Sequence, residues 1–127
     1  MRELTSHKVN GLNEALNVAV LDEPGQGGAC HHYVIYAPND TVNQELNASM
    51  SVEINFQNGP IKEAGVNGIS NEALLAVVID RMQGFQSGDF ACSENEEALQ
   101  YCRKALEALQ RRTLKRVARG VEGTNQK

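Results

Sequence analysis

Residues 110–119 read Gln-Arg-Arg-Thr-Leu-Lys-Arg-Val-Ala-Arg, five cations with no acid among them. The rest of the chain holds seven Lys and Arg against 16 Asp and Glu, within a net charge of −4. Guanidiniums grip phosphate or carboxylate through paired N–H donors, so this run is where an anion would be held. At helical spacing Asn95, Ala98, Cys102, Ala105 and Leu109 share a stripe that continues into Arg112, Arg116 and Arg119. That continuity predicts cations turned toward a cleft or an interface. The competing reading is a solvated helix end, where cations complement the macrodipole and long stems snorkel to water. Spacing alone leaves both open.

An aromatic face and an amide would extend phosphate recognition to a nucleotide: the ring stacks on a base and the amide reads its edge. Phe85 and Asn95 supply that pair at a predicted helix–helix turn. Phe85 and Arg112 fall at opposite ends of one hairpin, so they can share a ligand only across two protomers lying antiparallel. Otherwise Phe85 and Asn95 are ordinary turn and cap residues.

Other chemistry finds less support. In Cys30-His31-His32 only Cys30 and His32 would share a strand face, and no second ligand pair has metal-site spacing. The run 25–28, Gly-Gln-Gly-Gly, lacks the Lys-Ser/Thr or helix start of a phosphate loop and reads as a hairpin loop. Ser70, Ser93 and Thr113 have no evident His partner, and no paired carboxylates stand out. The sequence therefore predicts no catalytic group, metal or cofactor.

The elements that would position these residues fall into two halves. Residues 15–21, 31–37 and 51–57 are short β-favouring runs. The first two are joined by the turn-rich 22–28, and Pro38-Asn-Asp40 ends the second. In the third, Val52, Ile54 and Phe56 alternate with polar residues and are expected to face inward. After Asn67-Gly68, Ser70 can cap a helix with Leu74, Leu75, Val78, Ile79 and Met82 on one face, and Gly88 suits a left-handed stop. Ser93 and Glu96 fit a capping box opening a second helix that reaches about Ala118 and stops at Gly120. At about 1.5 Å per residue the helices are about 27 and 39 Å long. Phe90, in the short connector, is expected to staple the turn to the core, and the connector forces an antiparallel pair.

The predicted class is thus α+β: a small N-terminal antiparallel sheet followed by a long antiparallel two-helix hairpin. The 127 residues suit one domain, with 1–60 strand-rich, 67–120 the hairpin and 121–127 a loose tail. The apolar helix faces exceed what a small sheet can cover, so self-association is expected. No run approaches a membrane span and the start lacks a signal-peptide core, which points to a cytoplasmic protein. Three cysteines cannot all pair, which favours reduced thiols and makes the sequon-like triplets at Asn39 and Asn47 idle.

Phe56-Gln-Asn-Gly-Pro60, Asn67-Gly68, Asp80-Arg81, Gly84-Phe-Gln-Ser-Gly88, Phe90-Ala-Cys92, Asn95, Arg112-Thr113, Arg116 and Arg119-Gly-Val-Glu-Gly-Thr124 together resemble the phage Thoeris anti-defence family, type one. Its hairpin is shared with phage anti-CBASS proteins, type two. The likeness covers 56–124, and the strand-rich first half favours the Thoeris type. Asp89 stands where Pro is often found.

The resemblance implies a non-enzymatic sponge in the host bacterial cytoplasm, a homo-oligomer (dimer or hexamer) that sequesters cyclic nucleotide immune signals intact. It implies cyclic ADP-ribose isomers as ligands, the glyco-cyclic form first, with cyclic di- and trinucleotides as further candidates, and so a block of Thoeris and, by extension, CBASS immunity. By motif the family's pocket residues fall on Phe85, Asn95, Arg112 and Arg116; Arg119 is added from spacing alone. The alternative is a nucleic-acid-binding or structural oligomeric protein using the basic helix; the acidic pI near 5.3 argues against the nucleic-acid form.

Overall fold

A computed structural model describes residues 1–38 and 50–127, so the triplets at Asn39 and Asn47 lie outside the described residues. The chain forms two compact units, Met1–Asn58 and Gly59–Lys127.

The first unit is a four-stranded antiparallel meander in the order β1-β2-β3-β4: Arg2–Leu4, Asn17–Val20, His32–Tyr36 and Ser51–Asn55. Register puts apolar side chains in rows across the sheet. Val18 pairs with Leu4 and Ile35, and Ile35 with Val52; Val20 pairs with Tyr33, and Tyr33 with Ile54. Such rows are what stabilise a twisted sheet this small. Ala19 and Val20 are buried, and Tyr33 meets Phe56 edge-to-face with ring centroids 5.6 Å apart. Val52, expected inside, is 56% exposed. Strand β1 has only three residues, below what alternation can signal. The single-turn helix α1 (Gly11–Ala15) takes the start of the run at 15–21, whose strand part shrinks to 17–20.

In the 22–31 loop the Asp22 carboxylate accepts the amides of His31 (2.9 Å) and His32 (3.1 Å). The His31 amide, followed by that of His32 and the His31 ring charge, holds the Asp22 carboxyl below its ordinary pKa despite partial desolvation. A 3-10 turn, Gln26–Gly28, spans the glycines, with Gly27 and Gly28 at positive φ.

The second unit is the helical hairpin: α3 (Asn71–Gln86) and α4 (Ser93–Ala118), preceded by one turn, α2 (Ile61–Ala64). Both long helices start and stop within about a residue of the sequence reading. Ser70 caps α3, its Oγ accepting the Ala73 amide at 3.1 Å.

At the other end of α3 the expected left-handed glycine is absent. The chain stays right-handed at Ser87, whose hydroxyl donates to the Gly84 carbonyl at 2.8 Å, and Gly88 has no positive φ. Nor does the capping box form. Gln86 reaches across the turn instead: its Oε1 accepts the Cys92 amide at 3.0 Å and its Nε2 donates to Glu96 at 3.3 Å. Glu96 also accepts from Gln100 at 2.8 Å, so both its oxygens are engaged away from the cap, and Ser93 donates to Glu94 at 2.6 Å. Phe90 is 77% exposed, so the polar Gln86 bridge, not an aromatic staple, ties the turn.

The end of α4 is a Schellman motif. Gly120, at φ 75°, donates to the Val117 carbonyl at 3.0 Å, and Val121 donates to the Arg116 carbonyl at 3.0 Å. The chain turns back there, and residues 121–126, expected to form a loose tail, are held. Val121 is buried, and the Gly123 carbonyl accepts the Lys62 amide at 3.1 Å, so α2 and the C-terminal segment close on each other.

Among the described residues no helix is long and apolar enough to cross a membrane, and no three His, Cys, Asp or Glu side chains converge as metal ligands. The cysteines are free: Cys30 buried, Cys102 half-buried and Cys92 exposed.

Candidate ligand site

The predicted site residues lie in the second unit, and the structure sorts them into three settings. Leu99, Leu106 and Thr113, with Asn95, Cys102, Leu109 and Arg116, form the covered stripe of α4. These positions recur every seven residues, the spacing a helix adopts when it lies along a neighbour. Ala98, Ala105, Arg112 and Arg119 recur at the same interval but are all exposed. The expected single Arg row therefore divides: Arg116 continues the covered stripe, whereas Arg112 and Arg119 stand on the open flank beside it.

Arg116 is 9% exposed and committed within the chain. Its Nε donates to the Glu122 carboxylate at 2.9 Å and its Nη1 to the Gln126 carbonyl at 2.5 Å; its Nη2 donates to the carbonyls of Val121 (2.9 Å) and Thr124 (3.1 Å). Arg119 donates to the terminal Lys127 carbonyl. Arg112 makes no hydrogen bond or ion pair among the described residues, which leaves its full fork to solvent. Arg111 and Lys115 are also exposed.

At the hairpin turn, Phe85 is 37% exposed and carries the Arg81 guanidinium 5.0 Å from its ring centroid. A shallow groove lined by Asp80, Arg81, Gly84 and Phe85 runs along this flank of α3. A Cβ added to Gly84 would meet nothing, so the ring edge is approachable. Asn95 is half-buried and its amide reaches the Phe90 carbonyl at 3.5 Å, a long contact that leaves the group available.

The structure thus brings Phe85 and Asn95 to one end of the hairpin and Arg112, Arg116 and Arg119 to the other. From Asn95 to Arg112 the helix advances about 26 Å, at about 1.5 Å per residue. One protomer does not unite them around one small ligand. Two residues of this region enter the sequence analysis only as motif positions, with no role assigned. Arg81 sits four before Phe85, and that spacing was the available signal for their stacking. Glu122 could be found only by knowing that Gly120 reverses the chain.

Two comparisons bear on this arrangement. A family described as the Acb2/Tad1 hairpin domain matches residues 49–114. A Bacillus phage SBSphiJ7 protein, "Thoeris anti-defense 1", is 39% identical over 115 residues, spanning 78% of this chain and 81% of its own length. Identity at that level over more than two thirds of both chains, with the family match over about half of this one, shows that the chain belongs to the Thoeris anti-defence family.

Proposed function

We propose that this protein is a phage anti-defence sponge: an oligomer that binds cyclic nucleotide immune signals and holds them uncleaved. Membership of the Thoeris anti-defence family carries the coarser part, a phage anti-defence role. The finer part rests above all on Arg112, a guanidinium without an internal partner among the described residues, in a run of cations on an otherwise acidic chain. An unpaired exposed fork is the arrangement that a phosphate completes at little cost, because no existing bond must break.

The ligand class is cyclic ADP-ribose isomers, with cyclic di- and trinucleotides as further candidates. Phe85 stacks on a base, Asn95 reads its edge, and Arg112, with Arg116 and Arg119, takes the phosphates. Because the two clusters stand so far apart, the site is assembled from Phe85 and Asn95 of one protomer and the basic end of α4 of another. Exposed apolar side chains on both helices provide surface for that assembly: Val77 (65%), Leu114 (67%) and Val117 (56%). Capture silences the pathway once free signal falls below the dissociation constant of its receptor. Thoeris signalling is the first target in the host cytoplasm, and CBASS the second.

The test is capture and release. Protein incubated with glyco-cyclic ADP-ribose, or in parallel with cyclic di- and trinucleotides, is filtered, heat-denatured and chromatographed. Ligand that leaves the filtrate and returns intact on heating supports the sponge. A cleaved product would replace it with an enzyme, and ligand that never leaves the filtrate would sink the reading altogether.

A further inference from the structure

The basic end of α4 contains its own anion. Glu122 lies on the Nε edge of the Arg116 guanidinium at 2.9 Å, and the other donors face carbonyls of the same returning segment. Four N–H···O bonds leave at most one of the five guanidinium N–H groups free. The Nε donor of the edge that a phosphate would engage is held by the carboxylate, and the Nη donors beside it by carbonyls. An approaching phosphate therefore meets Arg112 as an open cation and Arg116 as a neutral ion pair.

Two observations make Glu122 displaceable. Its side chain is 38% exposed against 11% for Arg116, so solute can reach the acid side of the pair. The turn does not depend on it either, since the Schellman bonds of Gly120 and Val121 and the Gly123–Lys62 bond are all backbone. A carboxylate that the turn does not need, placed on the cation of a basic cluster, acts on ligand affinity more than on fold.

We propose that Glu122 is an internal competitor that sets the affinity of this end of α4 for phosphate-bearing ligands by occupying Arg116. Ligand phosphate and Glu122 exclude each other at the guanidinium. By linkage, removing the carboxylate strengthens anion binding, and anion binding loosens residues 121–126. The proposal takes its biological meaning from the sequestration reading, but its test does not depend on cyclic nucleotides.

Inorganic pyrophosphate is titrated calorimetrically into the wild type, Glu122→Gln, the double variant Glu122→Gln/Arg116→Gln, and Glu14→Gln, which removes the same charge from an exposed position of the first unit. Circular dichroism verifies that each retains its helices. The expected result is binding at least about tenfold tighter in Glu122→Gln, with the gain lost in the double variant and absent from Glu14→Gln. Loss of a merely structural ion pair would not raise affinity. Equal, weaker or undetectable binding by Glu122→Gln overturns the proposal. So does a gain that survives without Arg116 or that Glu14→Gln reproduces. A wild type that retains no cyclic nucleotide on filtration defeats the sequestration reading instead, and the pyrophosphate comparison still decides the role of Glu122.

Discussion

Arg112 and Arg116 stand one helical turn apart, yet their replacement by alanine should have opposite structural consequences. Arg112→Ala removes an exposed side chain with no partner among the described residues, so stability changes by no more than about 0.5 kcal/mol. Arg116→Ala strands the Glu122 carboxylate and the carbonyls of Thr124 and Gln126. The Val121 carbonyl keeps its bond from the Thr124 amide at 3.1 Å. Breaking a fully buried pair costs about 3–5 kcal/mol, but Glu122 is 38% exposed and the outer carbonyls can turn to water. About 2 kcal/mol is the discounted figure, and it falls on the local opening of residues 121–126. That corresponds to about 30-fold faster amide exchange there, at about 1.4 kcal/mol per tenfold. Peptide-resolved hydrogen exchange on both variants without ligand reads this directly. Faster exchange in Arg112→Ala, or none in Arg116→Ala, would refute the assignment of Arg116 as the organiser of the segment. Under the proposed sequestration, both variants should lose ligand in capture assays and keep the wild-type assembly state, but only the loss in Arg112→Ala reports on ligand contact alone.

Gly84→Ala should raise the thermal stability of the hairpin by about 0.5–1 kcal/mol, because glycine weakens a helix interior and the new methyl meets nothing within the protomer. A lower melting temperature would mean that another surface occupies that position. Gly123→Ala should destabilise by about 1–3 kcal/mol, combining a φ of 80° with a Cβ only 3.1 Å from Ile61 Cγ1; equilibrium denaturation with an unchanged midpoint would contradict the closure of α2 on the C-terminal segment. Asp22 should make the 22–31 loop acid-sensitive. Its folded-state pKa is lowered, so its contribution is fully present above the ordinary carboxylate value of about 3.9 and disappears as pH falls through the lower folded value. Amide exchange at His31 and His32, corrected for the intrinsic pH dependence, should accelerate over that window in the wild type but not in Asp22→Asn.

The long helices were legible because periodicity and the Ser70 cap act within a few residues of one another. What was hidden depended on side chains reaching across turns. The Ser93–Glu96 spacing satisfied the rule for a capping box, but Gln100, one turn on, and Gln86, ten residues back, are the partners that Glu96 takes. Likewise the 3.6-residue repeat placed Arg112, Arg116 and Arg119 on one face, whereas the seven-residue repeat of a packed hairpin separates them. Arg116 was expected to be a site residue without any sign of its internal acid, since Glu122 looks like part of a polar tail until Gly120 turns the chain. The three-residue β1 and single-turn α2 are too short for any period to register.

The strand order β1-β2-β3-β4 and the pairing of α3 with α4 mean that each of these elements packs on the one beside it in the chain, with the Gly123 closure of α2 reaching farther. The short 87–92 link between α3 and α4 closes at little entropic cost, so the hairpin can form ahead of the sheet, whose strands are joined by longer links. In the sequestration proposed above, the hairpin that would carry the ligand contacts is then the part of the chain that can form first.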